Sequence, residues 1–235
     1  MATDKNKTSR SLKVSKSRSH KVAVYGGTFD PVHKGHIAIA RNVSMLFDLD
    51  EVLFIPAFVA PHKRDVKPSS AWHRYAMLAL ATEDEKKFKI STIELDAPEK
   101  PFTIQTLSTI EEILGERVQM FFIMGADSWV DIKTWRDWET LLTTRNHIVV
   151  TRPNYELDTR HVTDEVRERV IDVRGKEKIL VSENETKIYV TDAVQMDVSA
   201  SAIRMGIREG KEDWYSDVSD NVAEYIKKYR LYQKI

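Results

Sequence analysis

The chain has 235 residues, 42% hydrophobic and 31% charged, a balance that suits a globular domain able to bury a substantial core. It contains no apolar run of membrane-spanning length and no cysteine, which excludes spanning helices, disulfides and thiolate metal sites and fits a reducing compartment. The formal charge is zero, but seven Lys and Arg against a single acid fall within residues 1–21, so the rest is mildly acidic and not a general nucleic-acid-binding surface.

Residues 1–20 are rich in Ser, Thr, Lys and Arg and nearly free of large apolar groups, so they are expected to be a disordered basic tail. One domain then covers 21–235. Lys21–Tyr25 predicts a strand, and Gly26-Gly27 lets the backbone turn sharply and approach a ligand. Ile37, Ala40, Val43 and Phe47 recur at helical spacing, which starts a helix near Gly35. A helix N-terminus behind a glycine turn offers free N–H groups and a positive dipole end, so it suits phosphate. His33 and His36 lie where that phosphate would sit. Taken singly, the glycines or the histidines fit an ordinary capped helix. The whole string points to a nucleotide-handling α/β enzyme.

Glu51–Pro56 is a nearly continuous apolar run, which suits a strand covered on both faces. Pro61–Ser70 is a polar loop carrying His62, Lys63 and Arg64. Trp72–Ala81 reads as a helix with Ser70 as its N-cap. Phe88–Ser91 and Ile93–Leu95 alternate like a strand of modest burial, and Leu107–Leu114 reads as a helix ending at Gly115. Val118–Met124 is the strongest strand and runs into Gly125–Ser128. Ligands of open α/β sheets bind at such carboxyl ends. Asp127 fits equally as an N-cap of the following helix or as a residue that meets a ligand there.

His147–Val150 predicts a further strand, stopped by Arg152-Pro153. Val162, Val166 and Val170 suggest a short amphipathic helix that leaves at Arg174-Gly175, and Lys187–Val190 is the last strand expected. Ser199 can cap a helix with Ser201 in its first turn and Arg204 about one turn on. Val218–Tyr229 reads as the C-terminal helix.

The string Gly26-Gly27-Thr28-Phe29-Asp30-Pro31-Val32-His33-Lys34-Gly35-His36 resembles the signature of the nucleotidyltransferase superfamily with an (H/T)-x-G-H motif. Its Gly-Gly-x-Phe-Asp-Pro form is similar to the bacterial nicotinate mononucleotide adenylyltransferases. Pro61-His62-Lys63, Gly125-Ala126-Asp127, Trp135-Arg136-Asp137-Trp138 and Ser199–Arg204 match later segments of that family. Ser201 stands where the family has threonine, and Ile104 where it has an aromatic residue. The likeness spans about residues 21–232.

The resemblance implies a Rossmann-like, doubly wound, mostly parallel sheet flanked by helices on both faces. It implies adenylyl transfer from ATP to nicotinate mononucleotide in NAD biosynthesis, with His33, His36 and Arg204 catalytic. ATP would lie against Gly26, Gly27, Thr28, Phe29, Asp127, Ser199, Ser201 and Ile203. The mononucleotide would meet Lys63, Thr103, Trp135 and Arg152, with Trp135 stacking and Trp138 packing. Mg²⁺ would ride on the ATP phosphates, with no metal site of the protein's own. A cytoplasmic enzyme is expected, without nucleic-acid or membrane partners and open to homo-oligomer formation. The rival readings are a nicotinamide mononucleotide adenylyltransferase and a non-catalytic nucleotide-binding regulator.

Overall fold

The computed structural model describes residues 19–58, 68–151, 156–192, 196 and 198–233. In chain order the first half runs β1 (His20–Gly27), α1 (Lys34–Phe47), β2 (Glu51–Pro56), α2 (Ala71–Ala81), β3 (Phe88–Ile90) and α3 (Thr103–Leu114). There follow β4 (Val118–Gly125), α4 (Ala126–Val130), α5 (Trp138–Thr144), β5 (Asn146–Val150), α6 (Asp164–Arg167) and β6 (Val170–Asp172). The chain closes with β7 (Ile188–Thr191), α7 (Ala200–Arg208) and α8 (Asp220–Lys228).

The strands form one sheet in the order β3-β2-β1-β4-β5-β7-β6, every pairing parallel. Alternate side chains of a strand point to opposite faces, and here both faces are buried. Ala23, Tyr25, Phe121, Ile123, Ile148 and Val150 join one core with Ile37, Phe47, Ile203 and Ile226 of α1, α7 and α8. Val24, Met120, Phe122, Met124 and Val149 join the other with Leu107, Ile110, Leu141 and Leu142 of α3 and α5. That two-sided burial is why the strand sequences read as continuous apolar runs.

From β1 the chain moves outward to β2 and β3, then returns to place β4 on the other side of β1. The connections leaving β1 and β4 therefore diverge, and a crevice opens between them at the carboxyl ends of the strands. The doubly wound expectation is met.

Five boundaries differ from the sequence expectations. His20, assigned to the tail, opens β1 opposite Val118, while residues 1–18 lie outside the described part. Ile93–Leu95 is a turn, closed by the Asp96 N–H on the Thr92 carbonyl, because β3 pairs only with β2 and stops where that register ends. Helix α3 begins at Thr103 rather than Leu107: the Gln105 side chain accepts from the Phe102 N–H at 2.9 Å and caps the earlier turn. The valine pattern of residues 162–170 is split. Val162 and Val166 are buried around the four-residue α6, but Val170 opens β6 and pairs with Ile188, since strand pairing outweighs a weak helical period. At the end, α8 starts at Asp220, with buried Val218 and Ala223 at the two positions of a hydrophobic staple around Ser219.

Candidate functional site

The turn after β1 is set by close contacts. A Cβ on Gly27 would lie 2.8 Å from the Phe29 ring, so no larger residue fits. Phe29 itself takes a left-handed backbone (φ 49°) and packs edge-on to Tyr25, Phe54 and His36 at 5.6, 5.7 and 5.0 Å. Its ring is thus core. Gly26 has ordinary room beside Phe122, and the Thr28 carbonyl accepts from Arg74.

His33 is the N-cap of α1 and His36 its third residue. The His33 N–H donates to Nδ1 of His36 at 3.2 Å, so neutral His36 carries its proton on Nε2. The two rings stack at 3.7 Å. His33 is only 8% exposed, its Nδ1 is buried without a hydrogen-bond partner, and burial holds its pKa down to about 4. It is therefore neutral near pH 7. A Cβ on Gly35 would stand 3.0 Å from Nδ1 of His33, so the glycine of the motif makes room for that ring.

A second buried histidine, His147 on β5, is also held down to about 4 by desolvation, although Nε2 bonds the Leu141 carbonyl at 2.8 Å. Both rings take up a proton on unfolding, so the unfolded chain binds more protons between the ordinary value of 6.5 and about 4. Stability is complete above that window and falls as pH drops through it. Glu94, whose carboxyl is pushed up by burial, works in the opposite sense at the acid end. Urea unfolding from about pH 7 to 4.5 should show a slope approaching about 2.7 kcal/mol per pH unit, the value for two protons. His147→Gln should halve it, and a flat profile would contradict the assignment.

Helix α7 brings the other end of the chain to the same turn. Val198 lies within 3.9 Å of the position a Gly35 Cβ would take. Arg204 Nη1 donates to the Asp30 carbonyl at 2.6 Å, across 174 residues of sequence, and Nη2 to Ser201 Oγ at 3.2 Å. Ser199 caps α7 by accepting from the Ala202 N–H at 3.1 Å. Two helix N-termini, two imidazoles and a guanidinium thus meet around one turn, an arrangement suited to a polyanion. Ile203 is fully buried, so its side chain serves the core.

The remaining residues spread along the crevice. Asp127 is exposed in the first turn of α4; Gly125 is the N-cap, which removes the capping alternative for Asp127. Thr103 is half-buried at the first position of α3, and half-buried Trp135 sits edge-on to Phe122 at 6.2 Å. Trp138 packs against the same core. Lys63 and Arg152, with neighbouring His62 and Arg64, lie outside the described residues.

A pocket of about 310 Å³ opens beside His33, but it follows the flank of α1 that carries Lys34, Ile37, Ala38 and Arg41. Arg204, Asp127 and Trp135 are not in its wall. The guanidinium reaches the histidine turn through Asp30 and not through that pocket.

Three residues of the site had no functional reading from sequence. Arg74 is 1% exposed inside α2 and bonds three backbone carbonyls; Asp30 accepts from Tyr232 and from the Ser69 N–H. The available signal was a lone cation in the apolar stretch Arg74–Ala81, which alternation alone leaves as an exposed position.

A family model described as cytidylyltransferase-like matches residues 24–206. A Thermoanaerobacter protein named "Probable nicotinate-nucleotide adenylyltransferase" is 35% identical over 217 residues, covering 92% of this chain and 96% of its own. One of the same name from Tropheryma whipplei is 34% identical over 210 residues, covering 89% and 98%. Among solved structures, Plasmodium falciparum nicotinic acid mononucleotide adenylyltransferase complexed with NaAD superposes with a TM-score of 0.67. It covers 91% of this chain and 97% of its own at 20% identity, a likeness of fold.

Proposed function

The chain belongs to the cytidylyltransferase-like family, and from that membership we propose that it is a nicotinate-nucleotide adenylyltransferase. It transfers the adenylyl group of ATP to nicotinate mononucleotide, a step of NAD biosynthesis. The 5′-phosphate oxygen of the mononucleotide bonds to the α-phosphorus as the bond to the bridging oxygen breaks. Pyrophosphate leaves with that electron pair, and nicotinate adenine dinucleotide forms. A phosphate nucleophile is ionised at neutral pH, so no general base is required. Catalysis reduces to positioning and to neutralising charge on the α-phosphate and leaving group.

The observation that supports this reading most is the bond from Arg204 to the Asp30 carbonyl, which ties α7 to the turn before His33 and His36. His33 and His36 would offer Nε2–H donors to the α-phosphoryl oxygens. Arg204, Ser199 and Ser201 would take the β- and γ-phosphates. Gly26 to Phe29 would line the nucleotide with backbone, and Asp127 would accept from a ribose hydroxyl. Thr103 and Trp135 would hold the pyridine end, with Lys63 and Arg152 as further cations for the mononucleotide.

Mg²⁺ fits as a guest of the triphosphate. The Asp30 carboxylate is engaged by Tyr232 and Ser69. When bound, the ion adds charge neutralisation on the phosphates.

Residues 21–235 would then act as one nucleotidyltransferase domain behind the basic tail, in the cytoplasm and open to homo-oligomer formation. No helix among the described residues is long and apolar enough to cross a membrane.

Pyrophosphate release with ATP, measured separately with nicotinate and nicotinamide mononucleotides, tests the assignment. The nicotinate substrate should give the higher kcat/KM. Release with neither, or preference for the amide, would overturn it.

A further inference from the structure

We propose that Arg74 is a positioning residue: one buried guanidinium that holds the nucleotide turn and both stems of the Lys63-bearing segment at a fixed spacing. The proposal rests on the adenylyl-transfer reading for which segment meets which substrate.

Arg74 donates through Nη1 to the Thr28 carbonyl at 2.8 Å, through Nη2 to the Phe58 carbonyl at 3.3 Å and through Nε to the Ser69 carbonyl at 3.1 Å. Thr28 belongs to the turn after β1. Phe58 and Ser69 flank residues 59–67. All three acceptors lie in irregular backbone, outside the strand ladders that would otherwise satisfy them. A planar guanidinium presents its donors in a rigid fork, which lets one side chain fix three carbonyls at once; an ammonium on a flexible stem cannot.

The charge is buried, and that costs free energy unless it is paired. Asp30 supplies the opposing charge, raising the Arg74 pKa against the lowering by desolvation. The same carboxylate accepts from the Ser69 N–H at 3.2 Å and from the Tyr232 hydroxyl at 2.7 Å. Ser69 is therefore gripped through both its N–H and its carbonyl, and the Asp30 carbonyl receives Arg204. One set of bonds thus runs from Tyr232 to the Arg204 guanidinium, the turn after β1, and Phe58 and Ser69.

Packing alone would be served by an apolar side chain here, as at the neighbouring buried Met77 and Leu78. What an apolar residue cannot do is hold the Thr28 turn at a fixed spacing from Phe58 and Ser69. In-line transfer depends on that spacing, since a misplacement of about 1 Å costs on the order of 10²-fold in rate.

The test uses the full chain, with Arg74→Lys, which keeps the charge but not the fork, and Tyr232→Phe, which removes one donor to Asp30. Steady-state kinetics for both substrates are combined with hydrogen exchange of the folded proteins. Arg74→Lys should lower kcat about 10–100-fold and speed exchange at Thr28–Asp30 and at Phe58 and Ser69 together, with the sheet amides unchanged. Tyr232→Phe should give a smaller loss in the same direction. Wild-type kcat in folded Arg74→Lys, or faster exchange spread evenly over the chain, would reduce Arg74 to a stabilising role and overturn the proposal. If Arg74→Lys does not fold, wild-type kinetics and exchange in Tyr232→Phe overturn it instead. Should the wild-type protein release no pyrophosphate, the adenylyl-transfer reading fails, while the paired exchange response still decides the clamp.

Discussion

Replacing His36 with alanine is expected to cut turnover about 10²–10³-fold, the range for removing one preorganised donor from a developing charge. The reason lies in the tautomer. Nδ1 of His36 accepts the His33 N–H, so the proton is fixed on Nε2, and the ring, stacked on His33 and edge-on to Phe29, has little freedom to turn. The same substitution removes a side-chain acceptor at the start of α1, which costs about 1 kcal/mol of stability. The melting temperature should therefore fall by a few degrees while kcat collapses. Steady-state pyrophosphate release beside a thermal melt separates the two effects. Near-wild-type turnover would remove His36 from the chemistry.

Arg204→Ala should have an effect of similar size, about 10²–10³-fold in kcat/KM for ATP. The side chain is half-buried on α7 and already aligned, with one nitrogen on the Asp30 carbonyl and another on Ser201 Oγ. A guanidinium held in place meets a triphosphate at little ordering cost, and a fork suits phosphate better than a point charge. Arg204→Lys should accordingly recover only part of the loss. Because α7 is anchored by Ile203 and Gly206 rather than by Arg204, the fold should persist. Kinetics with ATP as the varied substrate test this. Both parameters within about twofold of wild type would leave Arg204 with a structural task alone.

The parts of the fold that sequence made legible are those where a local signal and the tertiary demand agree. β1, β2, β4 and β5 bury both faces, and their apolar runs say so without help from neighbours. The capped starts of α2 at Ser70 and α7 at Ser199 were visible because a hydroxyl stands where a free N–H must be met. β6 was not legible: Val170-Ile171-Asp172 is too short to declare itself and becomes a strand only because β7 lies beside it. The early start of α3 depends on Gln105 reaching back to Phe102, a contact that apolar spacing does not register.

The candidate site divides the same way. His33, His36, Ser199 and Arg204 stood out as polar groups at helix starts or one turn on. Phe29 and Ile203 sit inside those motifs, yet their side chains belong to the core, since a motif places residues in sequence without saying which way each side chain points. Arg74, Asp30 and Tyr232 come from three distant segments, and nothing local ties them together. Only the fold brings the Tyr232 hydroxyl to Asp30.

A triphosphate held between the histidine turn and α7 is tested by a crystal structure of the protein with ATP and Mg²⁺. It should place phosphoryl oxygens within hydrogen-bond reach, about 2.7–3.2 Å, of both His36 Nε2 and the Arg204 guanidinium. A triphosphate seated instead along the Lys34–Arg41 flank of α1, with Arg204 touching no phosphate oxygen, would contradict it.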